Sequence, residues 1–266
     1  MRWQPANEMR RILRGIYGLY AWALLLICVL LTTTLLIFVP GLNIRRRIAR
    51  FSARLLFGAC GISLKISGDV AAIEKSCVVV SNHASYLDGI ILTAALPPHF
   101  SFLVKREMKS VPVASLLLRR LGTEFVERFD FRRGATDARR IIRTAGGGQG
   151  LAAFPEGTFR QEPGLGRFYS GAFSAAVRSG MPVVPITLLG SRKILPANQL
   201  LPVPGDLHLI VHPVIPTDKS ASDREAVLCI RDLARERILS SLGEADLDFR
   251  LPSAPTDAQQ NNALDL

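Results

Sequence analysis

Acidic residues are scarce in this chain, and one long stretch has no charge of either sign. Cysteine and histidine are few. Among 266 residues, 22 Asp and Glu stand against 33 Lys and Arg, a formal excess of +11. That balance calls for an anionic partner, either nucleic acid or an anionic membrane surface. The four cysteines, Cys28, Cys60, Cys77 and Cys229, lie far apart and form no CxxC pair. Their spacing argues against a disulfide framework or a structural zinc site and fits a reducing compartment. Much of the positive charge flanks the uncharged stretch, which speaks against nucleic acid. A hydrophobic content of 48% excludes a disordered chain.

The uncharged stretch covers residues 16–39, 24 in all. As a helix it would reach about 36 Å at about 1.5 Å per residue, against a hydrocarbon core of about 30 Å. Tyr17, Tyr20 and Trp22 stand near its start, where amphipathic rings settle at lipid headgroups. The run exceeds the roughly 7–15 apolar residues of a signal peptide, and no small-x-small cleavage site follows. Residues 1–60 carry nine Arg against the single Glu8, a local +8. The most basic end is also the most apolar end, and a membrane explains both. Arg10, Arg11 and Arg14 precede the run, and Arg45, Arg46, Arg47, Arg50 and Arg54 follow it. The heavier second flank places the C-terminal bulk in the cytoplasm. Pro40–Gly41 ends the first helix, after which Ile44, Ile48, Phe51 and Leu55 recur at helical spacing among the arginines. That pattern suits a helix lying in the interface beside anionic lipids. Residues 1–60 thus read as an anchor, an apolar helix over 16–39 and a basic amphipathic helix over 43–58. It is either a single span or a hairpin that dips into one leaflet and returns.

Beyond Gly61 short apolar runs alternate with polar or glycine-rich turns. Strands are expected over 62–67, 77–81, 101–105, 124–127, 150–154, 183–188 and 207–211, with helices over 87–96, 113–121, 134–145 and 171–179. Alternation of this kind predicts an α/β fold, a single domain over 61–243 around a central, mostly parallel or mixed sheet. Ser222 and Glu225 form a capping box for a last helix running to about Leu242. Residues 244–266, rich in Pro, Asn, Gln and Asp, read as a disordered tail.

Three segments carry chemistry. In Val78–Val79–Val80–Ser81–Asn82–His83–Ala84–Ser85–Tyr86–Leu87–Asp88 a buried strand delivers a His and an Asp into the next turn. On an ideal helix these two would point about 140° apart. A loop entering a helix can instead return the carboxylate to the imidazole, so that Asp88 holds Nδ1–H and leaves Nε2 free to accept a proton. The plainer alternative is a capping Asp with an unrelated surface His. Phe154–Pro155–Glu156–Gly157–Thr158 follows another strand, with Gly157 permitting a tight turn and Arg160 and Arg167 nearby. Gly122–Thr123–Glu124–Phe125–Val126–Glu127–Arg128 puts Arg128 at a strand end, where a guanidinium holds phosphate well or pairs with Glu127 or Asp130. Gly146–Gly147–Gly148–Gln149–Gly150 neither follows a strand nor opens a helix and is no dinucleotide fingerprint. His208 and His212 share a strand face without a Cys or carboxylate at ligand spacing, and His99 is a turn residue, so no metal site is expected.

With Val184–Pro185–Ile186, these segments resemble the 1-acylglycerol-3-phosphate (lysophosphatidic acid) acyltransferase family. Asn82–His83 and Asp88 fit its NHx₄D block. Lys105–Arg106–Glu107–Met108, Pro112, Gly122, Phe125 and Arg128 look like its second block, and residues 154–158 read as its FPEGT block. The resemblance implies a glycerolipid-acyltransferase-like αβα domain. It further implies transfer of an acyl group from acyl-CoA or acyl carrier protein to the sn-2 hydroxyl of 1-acylglycerol-3-phosphate, giving phosphatidic acid. His83 would be the general base and Asp88 its orienting partner. Arg128, Glu156, Gly157, Thr158 and Arg160 would position the acceptor phosphate, supported by Asn82, Ser85, Lys105, Gly122, Phe125, Pro155 and Pro185. No cofactor or metal is implied. The expected partners are a lyso-phospholipid, an acyl thioester, an anionic membrane and, as one donor, acyl carrier protein, with the domain on the cytoplasmic face (the inner membrane in a bacterium). No GxSxG occurs, so Ser85 reads as support rather than nucleophile. Two departures bear on the acceptor. Phe159 intervenes before Arg160, and Phe168–Tyr169–Ser170–Gly171–Ala172 stands where the family often has Phe-Lys-Lys-Gly-Ala. Both move positive charge from the phosphate site and leave open another lyso-lipid, such as one with an amino-acid (ornithine) headgroup. A non-catalytic lipid-binding membrane protein is the remaining alternative.

Overall fold

The computed structural model describes residues 5–126, 149–217 and 223–248. The expected helix over 134–145, Arg128, Ser222 and most of the expected tail lie outside these residues. Two helices come first, α1 (Pro5–Phe38) and α2 (Leu42–Ala59). Then follow β1 (Leu64–Gly68), β2 (Val78–Ser81), α3 (Asp88–Ala95), β3 (Phe100–Lys105), α4 (Pro112–Arg120), β4 (Glu124–Val126) and β5 (Gly150–Ala153). The chain continues through α5 (Gly171–Ser179), β6 (Val183–Leu189), the single turn α6 (Ser191–Ile194), β7 (Leu207–Val211) and α7 (Asp223–Leu242).

The strands form one seven-stranded sheet in the order β1-β7-β6-β2-β5-β3-β4. Every pairing is parallel except β6 with β7. Strands β2 and β5 sit at the centre and are buried along their whole length, as expected of apolar runs covered on both faces. Their alternate residues feed two cores. Val79 and Ala152 join Val184 and Ile186 beneath α2 and α3. Val78, Val80, Leu151 and Ala153 meet Phe173 of α5 and Ile230, Ala234 and Ile238 of α7 on the other face. The result is a three-layer αβα sandwich. Gly150 is obligatory in this packing, because a Cβ there would lie 2.5 Å from the Phe100 ring.

Helices α1 and α2 form a hairpin turned at Gly41, which has φ +81°. Tyr17 and Tyr20 donate to the carbonyls of Cys60 and Ala59, and Thr32 Oγ1 donates to Ser52 Oγ at 2.7 Å. The buried stripe of α1 is small or polar at Gly18, Ala21, Thr32 and Thr33 and ends on the fully buried Leu36, whereas Ile12, Ile16, Leu19, Leu26, Leu31 and Phe38 point outward. In α2 the expected apolar face is likewise turned outward, with Ile44, Phe51 and Leu55 exposed. The arginines behave differently from the expectation of a headgroup-facing polar side. Arg46 is buried and donates to Leu121 O and Gln149 Oε1, and Arg45 donates to Arg120 O. Arg50 and Arg54 donate to the carbonyls of Ala94 and Ala95. Those carbonyls end α3, where the helix dipole favours cations. Four of the five guanidinium groups thus bond acceptors of the domain, whereas Arg47 stays exposed. Burial pushes the Arg46 guanidinium down to about 10, with the charge on Arg45 adding to it.

The expected tail also needs correction at its start. Residues 244–248 are not detached. Leu165 N–H donates to Ala245 O (2.9 Å), Leu247 N–H to Leu165 O (3.0 Å), and Glu244 pairs with Arg192. Polar composition hid an extended strip held by its backbone and by two arginines.

Candidate active site

In open parallel sheets, ligand sites gather beyond the carboxyl ends of the strands. Here β2 and β5 run side by side, Val80 opposite Ala153, so the turns after Ser81 and Ala153 meet. Strand β2 is lengthened by a side chain. Asn82 Oδ1 accepts the N–H of Leu188 (2.7 Å) and its amide donates to Leu188 O (3.0 Å), imitating one more rung against β6. Pro185 sits opposite Val80 within β6 and accepts His212 N–H.

The chain then turns back on itself before α3. Asp88, the first residue of α3, is fully buried, and its Oδ2 accepts three N–H groups. They belong to His83 Nδ1 (2.8 Å), Ala84 (2.6 Å) and Ser85 (2.8 Å). The turn thus brings imidazole and carboxylate together although an ideal helix would part them. An Asp at this position also sits at the positive end of α3. His83 is partly exposed, and its Nε2 has no hydrogen-bond partner among the described residues. With Nδ1–H donated to a carboxylate, Nε2 is the basic nitrogen.

Ser85 is buried. Its hydroxyl donates to Leu195 O (2.7 Å) and accepts Leu87 N–H (3.2 Å). It braces the turn and is not placed as a nucleophile.

The FPEGT turn surrounds His83. Phe154 stacks on the imidazole with ring centroids 4.2 Å apart, and Phe159 meets it edge-on at 4.8 Å. Phe159 in turn packs against the exposed Tyr86 at 4.6 Å. Glu156 faces inward. Its Oε1 accepts His83 N–H (2.7 Å) and its Oε2 accepts Gly166 N–H (2.8 Å). Burial raises its carboxyl above the ordinary value, while those two N–H groups pull it back. Pro155 is buried and its carbonyl accepts Tyr169 N–H. Gly157 adopts φ +84°, which closes the turn, and leaves Thr158 and Arg160 exposed on the outer rim.

The structure therefore gathers His83, Asp88, Asn82, Ser85, Pro155 and Glu156 into one connected constellation, with Gly157, Thr158 and Arg160 on its rim. The residues of the second block stand across the sheet on β3 and β4. Lys105 pairs with Glu107 (3.1 Å), Lys109 Nζ lies over the Phe125 ring at 5.0 Å, and Gly122 takes φ +68° against Leu42 and Arg46. Arg128 would follow β4 but lies outside the described residues. Sequence reasoning missed the aromatic enclosure of His83 by Phe154 and Phe159, and it placed Glu156 among the groups that position the acceptor phosphate, whereas both carboxylate oxygens accept backbone N–H groups. The signal for the second was available, because a carboxylate is ill suited to a phosphate contact.

Comparison with known proteins points to acyltransferases. Residues 63–189 match the family model described as Acyltransferase. A chloroplast 1-acyl-sn-glycerol-3-phosphate acyltransferase of Brassica napus is 32% identical over 205 residues, covering 74% of this chain and 57% of the plant protein. A lyso-ornithine lipid O-acyltransferase of Pseudomonas aeruginosa is 32% identical over 180 residues, covering 65% of this chain and 66% of that protein. The crystal structure of the 1-acyl-sn-glycerophosphate acyltransferase PlsC from Thermotoga maritima superposes with a TM-score of 0.71 at 19% identity. It covers 86% of this chain and 96% of that one, a likeness of fold. With its ordered motifs on this fold, the chain carries an acyltransferase domain and is similar over most of its length to 1-acyl-sn-glycerol-3-phosphate acyltransferases.

Proposed function

We propose that the protein is a membrane-bound O-acyltransferase that moves a fatty acyl group from an acyl-CoA or acyl-carrier-protein thioester to the sn-2 hydroxyl of 1-acylglycerol-3-phosphate. The observation that carries this reading is the 2.8 Å contact between His83 Nδ1 and a fully buried Asp88. An alcohol is too weak an acid to attack a thioester unaided at neutral pH. His83 Nε2 removes the hydroxyl proton as the oxygen bonds to the thioester carbonyl carbon. When the carbon–sulfur bond breaks, the proton passes from the imidazolium to the leaving thiolate. Asp88 stabilises the transient imidazolium and fixes its tautomer. General-base assistance of this kind is worth about 10²–10⁴ in rate. No acyl-enzyme enters the scheme. Thr158, Arg160 and Arg128 are the groups assigned to the acceptor headgroup.

Membrane attachment rests on the outward apolar surface. Helix α1 packs against α2 and α4, and exposed apolar residues stand on all three, among them Ile44, Phe51 and Leu55 of α2 and Val113 and Leu116 of α4, with Leu200 85% exposed as well. Trp22 Nε1 donates to Leu200 O (2.6 Å), and Arg120 donates to the carbonyls of Leu36 and Ile37 at the other end of α1. The helix is thus fastened to the domain at its middle and at its C-terminal end, which favours a hairpin lodged in one leaflet over a free span. Apolar surface of this extent seeks lipid.

A second acceptor is favoured by one feature. Phe159, packed on both His83 and Tyr86, occupies the turn with aromatic surface before the first cation, Arg160. With the Pseudomonas relative named for lyso-ornithine lipid, an amino-acid lyso-lipid is the alternative substrate. The deciding experiment supplies labelled acyl donor with lysophosphatidic acid or lyso-ornithine lipid to membranes holding wild type or His83→Ala. Product from one acceptor names the substrate, and loss in the variant supports the base. Undiminished product from His83→Ala would end the proposal.

A further inference from the structure

Among the described residues, Glu156 is the one carboxylate hydrogen-bonded to the backbone of His83, and both of its oxygens are engaged within the protein. Oε1 holds the N–H of His83 itself, and Oε2 holds the N–H of Gly166. The carboxylate is a clamp between two loops, the β2–α3 turn and residues 164–166. Space around it is tight, since a Cβ on Gly166 would lie 2.9 Å from Oε2.

The second loop is held in place by the end of the described chain. Leu165 exchanges backbone hydrogen bonds with Ala245 and Leu247, and Gly164 N–H donates to Glu244 Oε2 (2.7 Å). The Arg235 guanidinium donates to Leu165 O (2.9 Å) and Gly166 O (3.1 Å) while paired with the carboxylate of Asp246. Glu244 also pairs with Arg192, whose Nη1 donates to Arg160 O (3.0 Å). A continuous series of hydrogen bonds therefore runs from Asp246 through Arg235, Gly166 and Glu156 to the backbone of His83.

From this geometry we infer that Glu156 is a positioning residue for His83, and that residues 244–248 act as a strap that sets Glu156 from a distance. The inference rests on the reading of His83 as the base. It replaces a phosphate contact for Glu156 with control of where the imidazole stands. The physical reason is charge. An ionised carboxylate repels a phosphate, whereas two converging N–H groups stabilise it. Displacement of a catalytic group by about 1 Å is enough to cost about 10²-fold in rate, and the clamp governs the residue that carries the base.

The experiment compares Glu156→Gln, Asp246→Asn and the double variant in the full chain, with His83→Ala alongside. Turnover and the Michaelis constants of donor and acceptor are measured together with thermal midpoints. Glu156→Gln keeps an acceptor for one N–H and loses the other. Its kcat should fall about 10²-fold with both Michaelis constants within about threefold of wild type. Asp246 is accessible at the surface, so its variant folds, and its kcat should fall by about threefold to tenfold. In the Glu156→Gln background that second loss should vanish, because the clamp it acts through is already broken. A rise confined to the acceptor's Michaelis constant in Glu156→Gln would overturn the inference in favour of a phosphate contact. Additive losses in the double variant would overturn the strap. If His83→Ala stays active, the base itself has failed, an outcome distinct from either.

Discussion

Replacing Asp88 by Asn isolates the electrostatic part of the site from its shape. The amide oxygen can take the place of Oδ2 and still accept the N–H groups of His83, Ala84 and Ser85, which now meet that one atom. The turn should keep its form. What is lost is the negative charge 2.8 Å from Nδ1. At that separation, and with an effective dielectric near 20, a full imidazolium–carboxylate pair gains about 6 kcal/mol. Charge is spread over the ring and both oxygens, and a neutral acceptor keeps part of the bond, so about 3–5 kcal/mol of transition-state stabilisation is at stake. At about 1.4 kcal/mol per tenfold, kcat should fall by about 10²–10⁴. Stability should also drop. Asp88 Oδ1 is buried with no partner among the described residues, and an amide NH₂ placed there leaves donors unsatisfied at about 1–3 kcal/mol. Transfer of labelled acyl chains to lysophosphatidic acid, measured below the variant's thermal midpoint, separates the two effects. In a His83→Ala background the substitution should cost nothing further in rate. A variant that keeps kcat within about threefold of wild type would refute the assignment of Asp88 as stabiliser of a charged imidazole.

Two other outcomes follow from the hairpin. Arg46→Ala strands the carbonyl of Leu121 and the Oε1 of Gln149 and should lower unfolding free energy by about 2–4 kcal/mol, read by chemical denaturation in detergent; a loss below about 0.5 kcal/mol would show that the buried guanidinium does not tie α2 to the sheet. Leu30→Glu with Phe51→Glu puts charge on the outward faces of α1 and α2, where each acid costs about 2–3 kcal/mol in lipid, so flotation with anionic vesicles should fall sharply; flotation equal to wild type would place the lipid surface elsewhere.

Much of the architecture was legible because single residues settled it. Three consecutive valines before Ser81 can only be a strand covered on both faces, and Pro40–Gly41 breaks the hairpin where the structure turns. The less legible parts depend on contacts distant in sequence. Whether Asp88 meets His83 is decided by the turn through Ala84 and Ser85, whose N–H groups converge on the same oxygen, and spacing alone pointed the two side chains apart. The arginines of α2 carry the same charge whether they face lipid headgroups or the carbonyls of Ala94 and Ala95, so the choice between those acceptors is tertiary. Residues 244–248 look like solvent-exposed chain until Leu165 offers them a backbone partner. Glu156 matched a motif, and the motif says which residue is there without saying which way it faces.

These distant contacts share a direction. Helix α3 begins with Asp88, ends on the guanidinium groups of Arg50 and Arg54, and its first turn packs Leu87 against the hairpin beside Ala21 and Phe57. The element that supplies the carboxylate is thereby bound to the apolar hairpin, the proposed membrane contact, with no linker between them. From the opposite side, Glu156 and the strap hold the imidazole's own backbone. The proposed base is thus held from two sides through different atoms, Nδ1 for one and the main-chain N–H for the other. An acceptor that stays in the bilayer must reach such a base without leaving its leaflet. Fastening the catalytic turn directly to the apolar hairpin keeps its height above the lipid constant, which a flexible tether would not do.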